Sequence, residues 1–316
     1  MSIVRKVTED LYWVGVNDKR LHLFENVHPI PRGVSYNSYL LMDEKTVLFD
    51  TVDWSGCREF LENVREVLSG RTLDYLIINH MEPDHAASIE EVLIRYPECK
   101  VISNEKSFMF MHQFGFDVEG RKEEVKEGDT KNFGKHTVTF VAAPMVHWPE
   151  AMVTFDTTDG VLFSGDGFGC FGTVDGGFLD TRINLDKYWG EMVRYYSNIV
   201  GKYGSPVQKA LQKLGGLPIS AICSTHGPVW TENIARVIGI YDRLSRYDAD
   251  EGVVIAYGSM YGNTEQMAEA IAEELSAQGI KNIVMHNVAK SHPSYIIADI
   301  FRYKGLIIGS PTYSNQ

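Results

Sequence analysis

The stretch "NHMEPDHAAS", residues 79–88, places four side chains that can bind a metal within six positions: His80, Glu82, Asp84 and His85. It follows the largely apolar run 73–78, which is typical of a buried strand. Alternate residues of an extended segment project to the same side, so we expect positions 80, 82 and 84 to converge while position 85 turns elsewhere. Four ligands are too many for one tetrahedral ion with an open position. The pattern fits two adjacent ions, each taking two of them.

Three later strands are each followed by another candidate ligand: His147 after residues 136–143, Asp166 after 161–165 and His226 after 219–224. A lone histidine is more often an ordinary hydrogen-bonded side chain, and an aspartate beside glycines is most often a turn residue. Taken together, however, the seven candidates favour a metal centre over these ordinary roles. Burying Glu82, Asp84 and Asp166 together without cations would be very costly, so the sequence predicts a metal centre.

Composition limits the classes of function. The chain has 316 residues, of which 44% are apolar and 23% charged, as in ordinary soluble proteins. A formal net charge of -12 argues against binding to nucleic acid or to an anionic membrane. We expect a cytoplasmic protein, because the start lacks a signal-peptide pattern and no apolar run could span a bilayer. Four scattered cysteines without a CxxC pair predict buried thiols in a reducing compartment: Cys57, Cys99, Cys170 and Cys223.

The first part of the chain alternates β-rich runs with helical stretches. Strands are predicted at 46–50, 73–80, 100–104, 136–143, 151–156, 161–165 and 219–224, and helices at 56–68, 86–96, 186–203, 207–214 and 232–246. This order predicts an α/β sandwich with helices packed outside two sheets.

A second α/β pattern follows the polar stretch 246–252, so we place a domain boundary near Ala249. The predicted domains are therefore 1–249 and 250–316. The second contains strands at 253–257, 280–286 and 305–309, and helices at 263–278 and 291–300.

The order H-x-E-x-D-H, then a histidine, an aspartate and a histidine, resembles the metallo-β-lactamase-like αββα domain of the flavodiiron proteins. Zinc hydrolases of the same superfamily typically show H-x-H-x-D-H. Glu82 is therefore the discriminating residue. A carboxylate in place of an imidazole adds negative charge and hard oxygen donors, which favours iron over zinc.

The resemblance implies a role for each candidate ligand. One iron would be bound by His80, Glu82 and His147, the other by Asp84, His85 and His226, with Asp166 bridging the two. In some members of the family the histidine that corresponds to His85 turns away, so its role stays open. Tyr195 and Tyr196 resemble a segment that passes near the irons. A phenol there could donate to a bound oxygen or nitrogen species, with core packing as the equal alternative. Trp148 and Phe168 are expected to be apolar lining.

The stretch "AYGSMYGNTEQMA", residues 256–268, resembles the phosphate loop of flavodoxins at the start of a helix, where backbone N–H groups and the helix dipole suit a phosphate. "GSPTYSNQ", residues 309–316, resembles the loop that holds the isoalloxazine ring of FMN. The implied FMN contacts are Ser259, Met260, Tyr261, Gly262, Asn263, Thr264, Ser310, Pro311, Thr312, Tyr313, Ser314 and Asn315. A flavodoxin-like, doubly wound parallel sheet needs five strands, and the sequence supplies the first three. We therefore expect a truncated form of that domain.

By this resemblance the protein is a cytoplasmic oxidoreductase with two non-haem irons and FMN. Family members reduce O2 to water, NO to N2O, or both. Electrons would come from rubredoxin or a similar carrier, and the subunits would form a head-to-tail homodimer or a dimer of dimers. Two alternatives stay open at this point. One is a dinuclear zinc hydrolase, and the other is a truncated chain that binds metal but cannot accept electrons.

Overall fold

The computed structural model describes residues 4–314. Its strands, in chain order, are β1 Arg5–Lys6, β2 Leu11–Trp13, β3 Val16–Asp18, β4 Leu23–Phe24, β5 His28–Pro29, β6 Val34–Tyr36, β7 Tyr39–Met42, β8 Thr46–Phe49, β9 Tyr75–Ile77, β10 Lys100–Ser103, β11 Lys122–Glu124, β12 Thr130–Asn132, β13 Thr137–Ala142, β14 Met152–Asp156, β15 Val161–Gly165, β16 Ala221–Ser224, β17 Asp250–Tyr257, β18 Ile283–Asn287 and β19 Tyr303–Gly309. The α-helices are α1 Cys57–Leu68, α2 Pro83–Ala86, α3 Ile89–Arg95, α4 Glu105–Phe114, α5 Asp186–Tyr195, α6 Gly204–Leu214, α7 Ile234–Ser245, α8 Asn263–Ala277 and α9 Pro293–Arg302.

Two sheets form the larger part of the fold. One has seven strands in the order β1-β2-β7-β8-β9-β10-β11, and the other has five in the order β12-β13-β14-β15-β16. Their facing sides share an apolar core, in which the rings of Phe49 and Phe163 stack with centroids 3.6 Å apart. A larger apolar cluster lies on the outer sides, beneath the helices. The predicted αββα sandwich is therefore confirmed.

The amino-terminal region and the helix after β15 differ from the sequence-based expectation. The strands β1–β7 were not predicted, because runs of two to four residues are too short to show a period. The helix predicted at 186–203 is broken, since α5 ends at Tyr195 and a π-helical turn follows at Tyr196–Val200. Asn198 donates a hydrogen bond to the carbonyl of Arg194 (2.7 Å), so its side chain competes with the helical backbone there.

The carboxy-terminal part forms a three-stranded parallel sheet in the order β18-β17-β19. This arrangement matches the first half of a doubly wound fold, in which the first and third strands are neighbours. Helix α9 packs against α5 and the π-helical turn, where the Arg194 guanidinium donates to the Ser294 hydroxyl (3.0 Å). A β-carbon at Gly201 would lie 2.6 Å from Phe301, so the glycine permits this close packing. Among residues 4–314, no helix combines the length and the apolar character that crossing a bilayer requires.

Candidate metal centre

The predicted ligands come together at one end of the sandwich. His80 follows β9, Asp166 follows β15 and His226 follows β16, at the carboxyl ends of strands that pair in parallel within their sheets. His147 lies between the antiparallel strands β13 and β14. All seven predicted ligands are at most 8% exposed. The fold therefore assembles them from distant parts of the sequence into one buried cluster.

The segment that leaves β9 is not extended throughout, which corrects one expectation. Glu82 has an extended backbone, but Pro83–Ala86 forms a single helical turn that contains Asp84 and His85. Proline suits the first position of a helix because its missing N–H is not needed there. The alternation that we expected over 80, 82 and 84 therefore stops at Glu82, and Asp84 and His85 turn together towards a second set of ligands.

One half of the cluster contains His80, Glu82 and His147. The His147 Nε2 atom lies 2.9 Å from Glu82 Oε2 and 3.1 Å from Asp166 Oδ2. The His80 Nε2 atom lies 3.6 Å from the same Glu82 oxygen and 3.8 Å from the same Asp166 oxygen. Both imidazoles thus lie near the same two carboxylate oxygens, which fits ligands of one ion.

The other half contains Asp84, His85 and His226. The His226 Nε2 atom lies 3.0 Å from Asp84 Oδ2, and His85 Nε2 lies 3.5 Å from Asp84 Oδ1. Both imidazoles also face Asp166 Oδ1, at 3.2 Å from His85 and 3.5 Å from His226. The two oxygens of Asp166 thus face different halves, and His85 points into the cluster.

Several buried polar atoms of the cluster have no hydrogen-bond partner among the described residues: Nε2 of His80, of His85 and of His226, and both carboxylate oxygens of Asp84. Each such atom costs about 1–3 kcal/mol when it is left without a partner. Imidazole nitrogens and carboxylate oxygens are suitable ligands for divalent transition metals. The residues present therefore fit two metal ions, which would satisfy these atoms.

The electrostatics of the cluster support this interpretation. Burial alone would lower the pKa of His80, but the hydrogen bond to Glu150 and the nearby carboxylates of Glu82 and Asp166 raise it to about 10. Burial likewise opposes protonation of His147, whose bonds to Asp166 and Glu82 raise its pKa to about 10. Burial would raise the pKa of Asp166, yet the surrounding histidines, His85 foremost, hold it well below its ordinary value. Metal ions would displace these imidazole protons and take over the balancing positive charge.

Residues that the sequence analysis did not identify hold the ligands in place. His80 Nδ1 donates to Glu150 (2.6 Å), and the carbonyl of Glu150 accepts from Asn104 (2.7 Å). Thr225 donates to Asp166 Oδ1 (2.5 Å). The Nδ1 atom of His226 donates to the carbonyl of Ser35 (2.9 Å). These bonds fix the ring orientation of both histidines and leave Nε2 facing the carboxylates of the cluster.

Two of these supporting residues had a signal in the sequence. Glu150 stands three residues after His147, in "HWPE", and Thr225 directly precedes His226, in "STHG". A carboxylate or hydroxyl so close to a candidate ligand is a reasonable partner for it. Ser35 lies 191 residues from His226 in sequence and had no such signal.

The two adjacent tyrosines lie in different environments. The ring of Tyr195 is 5.7 Å from that of His226, and its buried hydroxyl has no partner among the described residues. The ring of Tyr196 packs instead on Tyr241 and Phe301. Successive helical residues point about 100° apart, which is why the two rings have different neighbours. Burial raises the pKa of Tyr195 well above its ordinary value, and the phenol therefore keeps its proton.

The expected apolar lining is only partly at the cluster. The Trp148 ring meets that of His80 edge to face at 5.2 Å, so this side chain borders the cluster. Phe168 packs on Tyr241, at 4.8 Å between ring centroids. Phe168 therefore belongs to the core behind the cluster.

A cleft of about 490 Å³ opens beside the cluster, between the sandwich and helix α9. Its wall includes Glu25, Glu82, His147, Trp148, Tyr203 and Phe301. Glu25, which the sequence analysis did not identify, offers a carboxylate oxygen within 4.8 Å of the donor atoms of Glu82 and His147. Burial and the neighbouring Glu82 carboxylate raise the pKa of Glu25 to about 9.

The predicted flavin loops lie together beside the ends of β17 and β19. A cavity of about 320 Å³ is lined by Ser259, Met260, Tyr261, Asn263, Thr264, Pro311, Thr312, Tyr313 and Ser314. The Ser259 hydroxyl accepts from the backbone N–H of Gly262 (3.1 Å), whose φ of 91° suits glycine before α8. Ser310 follows β19, and Asn315 lies outside the described residues. The first N–H groups of α8 have no partner within the helix, which fits an anionic phosphate.

Comparison with known families gives two matches. Residues 34–227 match the ODP family beta lactamase, and residues 255–316 match the flavodoxin family. The first match spans the metal cluster, and the second spans the loops around Ser259 and Ser310.

Comparison with individual proteins gives relatives over the whole chain. The anaerobic nitric oxide reductase flavorubredoxin of Escherichia coli O1:K1 / APEC is 33% identical over 320 residues, and the chain spans 66% of the length of that relative. The structure of rubredoxin oxygen:oxidoreductase from Desulfovibrio gigas is 30% identical with a TM-score of 0.94, over 99% of this chain and 79% of that one. A flavodiiron protein from Giardia intestinalis is 26% identical with a TM-score of 0.95, over 100% and 77% of the two chains.

Proposed function

Because this chain belongs to the flavodiiron protein family, we propose that it is an oxidoreductase that reduces O2 to water, NO to N2O, or both, at a pair of non-haem irons. The observation that carries the proposal is the position of Asp166, whose two oxygens face two separate sets of nitrogen and oxygen donors. A single carboxylate between two such sets is the arrangement that a bridged pair of ions requires.

The proposed ligands of one iron are His80, Glu82 and His147, and those of the other are Asp84, His85 and His226, with Asp166 shared. Glu82 supports iron over zinc, because it adds charge and a hard oxygen donor where a hydrolase has an imidazole. When bound, the two irons would supply open coordination positions and electrons for the reduction of the diatomic gas.

Side chains around the irons would fix the orientation of the ligands and limit the access of water. Glu150 and the carbonyl of Ser35 hold the rings of His80 and His226 in one tautomer. Tyr195 would donate a hydrogen bond to the bound gas, a role that its buried, protonated hydroxyl supports. Trp148 covers the His80 side with an apolar surface.

Electrons would reach the irons through FMN, bound between residues 259–264 and 310–315. The cavity between the two loops and its position at the N-terminus of α8 support this part of the proposal. We propose rubredoxin or a similar carrier as the donor, since relatives of this chain carry rubredoxin in their names. A head-to-tail dimer, or a dimer of dimers, would bring the flavin of one subunit to the irons of its partner.

We also propose that the protein is cytoplasmic. All four cysteines are free and buried, which suits a reducing compartment.

The proposal is tested by an anaerobic assay with iron-loaded protein, FMN and chemically reduced rubredoxin, in which O2 and NO are supplied separately. We expect at least one gas to be consumed, with oxidation of rubredoxin in step. Fully iron-loaded protein that consumes neither gas would contradict the proposed activity.

A further inference from the structure

The β4–β5 hairpin holds Glu25 at the entrance of the metal cluster. Phe24 anchors the hairpin, since its buried ring lies edge to face with that of His226 at 5.2 Å. The turn closes with a bond from the Val27 N–H to the Phe24 carbonyl (3.0 Å). Glu25 and Asn26 both have positive φ, 50° and 55°. The hairpin therefore places the Glu25 side chain on the cluster side of the cleft.

The Glu25 carboxylate lies close to the side chains of Glu82 and His147. One donor atom from each of the three lies within 4.8 Å of the others. Two carboxylates at this separation repel each other unless a positive charge lies between them, and water screens the repulsion only in part because the Glu25 side chain is 28% exposed. Their neighbour His80 is 1% exposed, and its Nε2 atom, which has no hydrogen-bond partner within residues 4–314, lies 3.6 Å from Glu82 Oε2. A cation on this side would thus satisfy both the carboxylate pair and the imidazole.

We propose that Glu25 is a further carboxylate ligand of the metal bound by His80, Glu82 and His147. This inference rests on the proposed function, because it assumes that the cluster holds metal. It makes the two halves unequal: the half that faces the cleft gains a ligand from a separate hairpin, and the half of Asp84, His85 and His226 does not.

The test compares wild-type protein with Glu25→Gln, which keeps the shape of the side chain and removes its charge. Both proteins are loaded anaerobically with ferrous iron alone, and iron release to a colorimetric ferrous chelator is followed. We expect Glu25→Gln to lose one of its two irons at least roughly tenfold faster than wild type, and the other at an unchanged rate. Val27→Ala, at an exposed position of the same hairpin, is the matched control and should release iron as wild type does.

Thermal unfolding separates ligation from a purely structural role. A structural role would lower the Tm of the metal-free variant, whereas a ligand role predicts an unchanged or higher metal-free Tm and a smaller gain on iron loading. Release rates of Glu25→Gln equal to those of wild type would overturn the assignment of Glu25 and leave the proposed function intact. Wild-type protein that holds no iron would overturn both.

Discussion

The metal cluster and the flavin loops were both identified from short motifs, but the structure builds them in opposite ways. The seven metal-binding candidates are at most 8% exposed and come from four separate segments of the sandwich. The flavin loops are open, with Tyr261 89% and Tyr313 66% exposed. Long-range hydrogen bonds, such as that from His226 to Ser35, hold the first site. The second is shaped by local turns, such as that of Ser259 and Gly262.

Because of this difference, we expect the two sites to respond differently to mutation. A buried site held by contacts from many segments is rigid and loses much when one member is removed. An open site that depends on local turns should lose less and should leave the rest of the molecule unaffected.

The largest effect is expected when the residue that joins the two halves of the cluster, Asp166, loses its charge. We expect Asp166→Asn to release most of the bound iron and to lower gas consumption more than about 100-fold, because both metal positions lose a charged ligand. Metal analysis and the rubredoxin-driven assay check this. Asp175→Asn, at a surface ion pair with Lys19, is the matched control. An Asp166→Asn protein with a full complement of iron would show that Asp166 does not bridge the ions.

The identity of the metal should depend on Glu82. We expect Glu82→His to abolish gas reduction while metal is still bound, with zinc replacing iron, because the substitution restores the nitrogen-rich ligand pattern of the zinc hydrolases. Iron and zinc per chain, measured in protein made without metal supplementation, give the answer. Iron content equal to that of wild type would remove the discriminating role from Glu82.

A smaller effect should follow from loss of the Glu150 carboxylate. We expect Glu150→Gln to weaken metal binding about 10- to 100-fold, because His80 loses the partner that orients its ring. Anaerobic titration with ferrous iron measures the affinity. Glu127→Gln, which removes a solvent-exposed partner of Lys213, is the control and should change little. Equal affinities of Glu150→Gln and wild type would mean that packing alone holds His80.

The smallest effect is expected at the flavin loops. Ser259→Ala removes the hydroxyl that accepts from Gly262 and would face the phosphate. We expect FMN affinity to fall by up to about tenfold, the value of one hydrogen bond. Fluorescence titration with FMN measures this, and Ser276→Ala near the end of α8 is the control. A loss of bound iron in Ser259→Ala would contradict the expected independence of the two sites.

Much of the fold could be predicted from the sequence, because its long apolar runs and helix patterns are regular. The strands around Phe49 and Phe163, which meet in the core between the sheets, belong to this class. The short strands before β8 had no such pattern. Nor could the sequence show that Pro83–Ala86 turns into a helix, because a proline fits either an extended segment or a helix start.

The candidate site was predictable where ligands are crowded in sequence, as at His80 and Glu82. It was not predictable where one partner lies far away along the chain. Ser35 and Glu25 reach the cluster only because the amino-terminal strands fold over the ends of β9 and β16. Nothing beside either residue in the sequence indicates a metal, so only the three-dimensional structure identifies them.

The most direct test is the metal content of wild-type protein loaded anaerobically with ferrous iron alone and then desalted. We expect two irons per chain, since two sets of imidazole and carboxylate donors share Asp166. One iron per chain, or none, would contradict the proposed pair of ions.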